Sequence, residues 1–532
     1  MLIIHNAKIF SQEMPSATAM VVEHGRILAL GSEPDILEGF PLAVKRVNLE
    51  GRTLLPGLTD AHVHLGYYAE SKSSVDCETA SLAECLENVH SAAQKLAPGA
   101  WLRGHGWNQN VWKEGFGTAQ MLDSVCDEHP VYLTAKSVHA AWVNSRALAL
   151  AGINAQTLDP PGGKIQRDQS GDPTGILLEG SATSLVESII PGPTPEEWQA
   201  RIVDLVPGLW SMGLVGVHDF DSIEVWQALQ ACRQDGTLHF RVRKNIPFDH
   251  LDTFIRAGLR TDFGDDWLHV GSLKLFADGA LGPQTAAMFE PYEGASQTGT
   301  LLLTEDEIVD IGKRAVSHGI ALAIHAIGDR TNHIVLNALE QIRAYEQSHN
   351  LPHLRHRIEH VQIVDPMDIP RLAALDIIAS VQPVHCPSDM LISDKYLGER
   401  SVNAYPFRAI MDTGAKMVFG SDAPVEPINP FQGIHSAVTR RRLDGSPGKK
   451  GWHPEQRLSL VEAIDGFSRS AAEIAQRGTR LGSLAPGRKA DFLILDEDLS
   501  ALDPQVLGTI KPAATFVEGK CVFQSRSFSL DL

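Results

Sequence analysis

A chain of 532 residues, 43% hydrophobic and 21% charged, is long enough for a large buried core and ordinary in polarity for a globular protein. Its net charge of −19 argues against nucleic acid or an anionic membrane as partner, because both select basic surfaces, and says little about a small-molecule substrate. Cys77, Cys85, Cys126, Cys232, Cys386 and Cys521 are scattered without a CxxC pair, the pattern of free thiols in a reducing cytoplasm. The start, Met1-Leu-Ile-Ile-His-Asn-Ala-Lys, lacks a basic segment followed by a long apolar one, and no run of about twenty apolar residues could span a bilayer. A cytoplasmic location is therefore expected.

Residues 1–56 read as short antiparallel strands broken by Gly and Asn: Leu2 to Phe10, Ala19 to Gly31 and Arg46 to Leu55. The C-terminal stretches Gly482 to Asp496 and Pro512 to Phe523 have the same style, so both termini are expected to complete one small β-sandwich. Between them, apolar strands alternate with amphipathic helices, the pattern of a parallel α/β fold. Eight strands are expected, at Leu58–His64, Leu214–Phe220, His239–Pro247, Leu268–Phe276, Ile320–His325, Arg355–Val361, Asp376–Pro383 and Ala415–Asp422. Eight is the number that closes a (β/α)8 TIM barrel. The expected order is a sandwich half (1–56), the first barrel strand (57–66), an insertion (67–204), the remaining barrel (205–475) and the second sandwich half (476–532). The insertion follows the first strand, on the face where such barrels build active sites, and so is expected to act as a lid or pocket wall.

His62 and His64, in Gly57-Leu-Thr-Asp-Ala-His-Val-His-Leu65, share one face if the segment is a strand, because side chains alternate with period two. Lys274, His325, His360 and Asp422 stand at or near the ends of later strands. Each has an ordinary structural reading, such as a hydrogen-bonded histidine or a helix cap at Gly420-Ser-Asp422. Together they converge on the barrel mouth, and imidazole nitrogens with a carboxylate suit zinc, with manganese, iron and nickel also compatible. Lys274 is the odd member, since an ammonium repels a cation. Either it pairs with Asp278, or its amine has taken up carbon dioxide as a carbamate, which can bridge two metals.

The run Pro56 to His64 with Lys274, His325, His360 and Asp422 resembles the amidohydrolase superfamily. His139-Ala-Ala-Trp-Val-Asn-Ser145, Asp159-Pro-Pro-Gly-Gly163, Gly171 to Glu179, Lys274-Leu-Phe-Ala-Asp-Gly279 and His325-Ala-Ile-Gly-Asp-Arg330 resemble more narrowly its family 3, which includes N-substituted formamide deformylases. The resemblance runs nearly end to end. It implies a metal-dependent hydrolase of non-peptide carbon–nitrogen bonds in amides, formamides or cyclic amides. By position, His62 and His64 would bind the more buried of two metals and His325 and His360 the second. Carbamylated Lys274 would bridge them, and Asp422 would complete the first site. One departure stands out: where the family commonly has an arginine after the lysine strand, this chain has Gln284, in Gly282-Pro-Gln-Thr285. Glutamine cannot pair bidentately with a carboxylate, so if that arginine meets an acidic substrate in the family, a neutral one is expected here.

The implied chemistry is attack by a metal-bound hydroxide on a polarised carbonyl, with Asp422 as general base and then acid. His139 is a candidate donor to the carbonyl or tetrahedral intermediate; otherwise it caps structure near Asn144. His105, Trp107 and Trp112 are candidate pocket residues, although a Trp-rich stretch also reads as packing. His218, beside Asp219, is a candidate support for the ligands. Two other readings stay open, a metal-dependent lyase or isomerase on the same barrel and a silent binding or regulatory relative. A closed homo-oligomer such as a dimer is the default assembly.

Overall fold

The computed structural model describes residues 1–41, 44–499 and 501–528, with all their side chains except that of Ser73. Residues 42–43, 500 and 529–532, which the expected sandwich halves include, lie outside the described residues. Eight parallel strands form one sheet in chain order: β1 (Leu58–Val63), β2 (Leu214–Asp219), β3 (Arg241–Ile246), β4 (Leu268–Phe276), β5 (Leu322–Ala326), β6 (Arg357–His360), β7 (Ile378–Val381) and β8 (Met417–Phe419). The ring closes where β8 runs out beside β1. Asp422 N–H donates to His62 O at 2.7 Å, and His64 N–H donates to Ala423 O at 2.9 Å. This is the expected barrel, and each strand falls on the run expected for it. The ends differ most at β8, which stops at Phe419 because the chain turns, with Asp422 at φ 61°.

Strands of such a barrel are covered on both faces, which is why they read as apolar runs rather than alternating ones. All six residues of β2 and of β3 are buried. Helices follow the strands and carry their own start signals. Thr304 caps Glu305–Val316 in a reciprocal box with Glu307, and Ile308, Val309, Ala315 and Val316 form its buried face.

The termini build two further sheets. Leu2–His5, Ala19–Glu23, Arg26–Gly31 and Lys45–Asn48 form one; Lys8–Ile9 and Thr53–Pro56 join Phe492–Leu495, Ala514–Val517 and Lys520–Gln524 in the other. Ile4, Met20, Val22, Leu54, Phe492 and Phe516 share one apolar core. Thr53–Pro56 leads directly into β1 through Gly57, whose N–H donates to Asp491 O at 2.9 Å. Any side chain at Gly57 would fall 2.7 Å from Val215, so this crossing requires glycine. The Asp491 carboxylate meanwhile receives Arg241 Nε of β3 at 2.7 Å, which pins the sandwich to the barrel.

Residues 66–201 form a separate compact unit, distinct from 1–65 with 202–532. Its six-stranded sheet runs Lys164–Arg167, Pro173–Leu178, Ala140–Val143, Val131–Ala135, Leu102–Trp107 and Val75–Asp76. Among the described residues, no helix is long and apolar enough to cross a membrane.

Candidate metal centre

Strand register delivers the polar side chains to the barrel mouth. Phe276 pairs with His325 across β4 and β5, and Ala326 pairs with His360 across β5 and β6. His62 and His64 do share a face: Nε2 of each lies 3.3 Å from the same Asp422 oxygen, Oδ1. His62, His360 and Asp422 are all buried and offer ligand atoms within 4.8 Å of one another.

The polar-atom accounting around His62 shows what this arrangement fits. Its Nδ1 lies 2.6 Å from Glu359 Oε2 and donates to that carboxylate, which leaves the lone pair on Nε2. That buried nitrogen makes no hydrogen bond, and it faces Asp422 Oδ1, itself an acceptor. His360 Nδ1 is likewise buried without a hydrogen bond. Acceptors turned toward one another across about 3 Å fit a cation between them. Charge states agree. Burial lowers the His62 imidazole to about 4, against the pull of Asp422 and Glu359, and burial with the nearby His325 holds His360 well below the usual range. Both rings are therefore neutral at pH 7, the form in which an imidazole can bind a metal. Burial alone would raise Asp422, but His62, His64 and His360 outweigh it and keep its carboxylate well below the usual range.

Glu359 plays a part that its place in Arg357-Ile-Glu-His360 does not announce. It is fully buried, yet Arg357 and His62 outweigh burial and hold it ionised. Arg357 contacts both Glu359 oxygens and donates to Ala61 O at 2.7 Å and to His218 Nδ1 at 3.1 Å. His218 thus supports the arginine that supports the glutamate that fixes the His62 tautomer, the outer layer by which proteins orient metal ligands. Asp60 ties the two ends of the ring together by accepting the N–H groups of His62 at 3.0 Å and Ser421 at 3.0 Å.

Lys274 is buried, with Nζ 4.8 Å from the Phe220 ring centre and 4.6 Å from that of Phe276. Asp278 is committed elsewhere, accepting from Ala287 N, Ile327 N, Gly328 N and Thr331 Oγ1, so the simple Lys274–Asp278 pairing is not what the fold builds. Burial lowers the Lys274 amine to about 8. His325 packs on His360 with ring centres 4.5 Å apart, while its Nε2 lies 2.9 Å from Gly279 O and 3.5 Å from Asp278 Oδ1.

The backbone is strained at this mouth. His360 and Val361 have φ 74° and 46°, in the left-handed region that β-branched residues rarely enter. Such strain persists where the surroundings over-determine it and concentrates at functional sites. Gln284 sits in the loop after β4, also left-handed at φ 59°, and its Oε1 accepts from Gln297 Nε2 at 2.9 Å.

The remaining candidates belong to the 66–201 unit. Trp107 and Trp112 are packed into its apolar core with Trp142, and their indole N–H groups donate to Leu133 O at 2.8 Å and Thr79 O at 3.1 Å. His105 is half-buried on the same strand as Trp107. His139 pairs with an acid of the neighbouring strand end, and the helix cap beside it is Asn144 itself. His139 Nδ1 lies 2.9 Å from Glu179 Oε2, whereas Asn144 caps Ser145–Leu150 through Ala147 N–H. Sequence reasoning missed Glu359, Arg357, Asp60 and His385. The last lies four residues past the end of β7, with Nε2 3.8 Å from Asp422 Oδ2.

Residues 45–523 match the model of the amidohydrolase family, and the chain belongs to that family. It is a hydrolase by that membership, with a buried candidate metal site at the mouth of its barrel. It is similar to Protein LONG AFTER FAR-RED 3 of Arabidopsis thaliana, 32% identical over 98% of this chain and 91% of that one. It is also similar to the N-substituted formamide deformylase of Arthrobacter pascens, 29% identical over 98% of this chain and 97% of that one. Among solved structures, an uncharacterized metal-dependent hydrolase from Pyrococcus furiosus matches with TM-score 0.74 and 27% identity, over 93% of this chain and 99% of that one.

Proposed function

We propose that this chain is a metal-dependent hydrolase of a small neutral amide, formamide or cyclic amide, cleaving a non-peptide carbon–nitrogen bond. The observation that carries the reading is the buried His62 Nε2 aimed at Asp422 Oδ1 while Glu359 holds the other ring nitrogen. That donor set fits a divalent cation, zinc first, with His62, His64 and Asp422 at one site and His325 and His360 at a second. His325 would reach the second site through its other nitrogen or by a ring turn. When bound, the metal polarises the carbonyl and lowers the pKa of water.

The side chains supply the rest. Asp422, ionised at neutral pH, accepts a proton from water as the carbon–oxygen bond forms, then gives it to the nitrogen as the carbon–nitrogen bond breaks. The products are an acid and an amine. The depressed Lys274 amine is partly neutral at physiological pH, the form that can add carbon dioxide and release a proton to give a carbamate, which would supply a carboxylate-like group at the mouth. The full-length similarity to a formamide deformylase supports the choice of bond. A panel of N-acyl amines, formamides and cyclic amides, incubated with zinc- or manganese-loaded protein, tests it. The expected result is paired release of acid and amine from at least one class, abolished in Asp422→Asn. A metal-loaded protein that cleaves none of them would overturn the reading.

A further inference from the structure

The barrel mouth holds one more imidazole than the ligand set uses. His385 opens the helix His385–Leu397, and its backbone N–H donates to Gln382 O at 3.1 Å, which fixes the first turn. The residue is 9% exposed, and its ring centre lies 6.2 Å from that of His360. Its Nε2 is buried without a hydrogen bond and points at the other side of Asp422, 3.8 Å from Oδ2. A buried ring nitrogen left unsatisfied is costly, and an orphan of this kind marks a place that a bound atom completes.

The distance says what kind of atom belongs there. The gap of 3.8 Å is too long for a direct hydrogen bond, yet one atom at about 2.8 Å from each side reaches both. The neighbouring carboxylate draws the imidazole hydrogen onto Nε2, and Oδ2 itself only accepts. The atom between them must then accept from Nε2–H and donate to Oδ2. A water or hydroxyl oxygen does both; a carbonyl oxygen cannot. Oδ1 meanwhile faces Nε2 of His62 and of His64, so the two oxygens of Asp422 serve different sides.

We propose that His385 is a positioning residue of the hydrolytic site: through a bound water or hydroxyl oxygen it holds Oδ2 of Asp422 toward the reacting group, while Oδ1 stays with the metal ligands. The inference rests on the metal-hydrolase reading above and goes beyond it by assigning this side of the carboxylate.

A crystal structure of the native chain loaded with zinc tests it without any substrate. The expected result is zinc beside His62 and Asp422 and an oxygen within about 3.2 Å of both His385 Nε2 and Asp422 Oδ2. Zinc in place with the gap empty, or zinc bound to His385 itself, overturns this proposal alone. Absence of zinc beside His62 and Asp422 overturns the metal reading and this proposal with it. Two variants add a solution readout, with 4-nitroformanilide as probe. His385→Leu should keep the zinc content of the wild type, lose about 30-fold in kcat and change KM by no more than about threefold, with His385→Gln recovering part of the loss. Loss of zinc from either variant, or an unchanged kcat, would count against the proposal.

Discussion

The barrel mouth and the core of the 66–201 unit both gather nitrogen-bearing rings, and they differ in where those nitrogens point. Trp107, Trp112 and Trp142 lie edge-on or stacked with centres 6.0–6.5 Å apart, and each indole N–H meets a backbone carbonyl. That cluster closes its indole hydrogen bonds within its own unit. At the mouth, His62, His360 and His385 each keep a buried nitrogen without a hydrogen bond, although charged partners hold the rest of the framework firmly. Composition does not separate the two clusters, since both are buried and aromatic. The polar-atom balance does: a core closes its hydrogen bonds internally, and a site leaves specific ones open for its ligand.

Substitutions can break that contrast. The largest effect belongs to Asp422→Asn, which should lower turnover by about a thousandfold or more while far-UV and near-UV circular dichroism stay native, because the proton acceptor and a charged metal-binding oxygen are lost with no change in side-chain size. Retained turnover would show that the carboxylate is structural after all. In the other cluster, Trp142→Ala should destabilise the 66–201 unit by about 3–5 kcal/mol in denaturant unfolding, with metal content per folded chain unchanged. A loss of bound metal without a loss of stability would erase the distinction between the regions.

Smaller changes sharpen it. Glu359→Gln removes the charge that fixes the His62 tautomer and should weaken metal binding by about 10- to 100-fold in a chelator competition. It also leaves Arg357 buried without its partner, so a lower melting temperature should accompany the weaker binding. An unchanged metal affinity would remove Glu359 from the site. The smallest effect expected is that of Gln284→Arg, which should raise the kcat/KM ratio for acidic over neutral N-acyl substrates by about tenfold, or 1.4 kcal/mol. An identical substrate profile would mean that residue 284 does not meet the substrate.

Much of the fold was legible because a barrel strand is an apolar run with a polar residue at its far end, a pattern that survives in one sequence at Leu214–Asp219 and Leu322–Ala326 alike. His62 and His64 were legible because a period of two is a local property. Glu359 and Arg357 were not, since an acid two residues from a base on one strand reads as an ordinary ion pair; its meaning depends on His62, 297 residues away. His385 was within reach. It lies just past the seventh strand in Gln382-Pro-Val-His385, where the strand-end logic used for His360 would have flagged it, had the helix start been counted as part of the mouth. The positive φ at Val361 left no trace in residue type, because the surrounding packing imposes it on a β-branched residue.

Anomalous scattering from crystals of the chain purified from metal-replete medium tests most directly the cation proposed between His62 Nε2 and Asp422 Oδ1. The expected result is a strong anomalous peak within ligand distance of His62, His64 and Asp422, and a second one beside His325 and His360. A well-ordered mouth with no anomalous peak between His62 and Asp422 would contradict it.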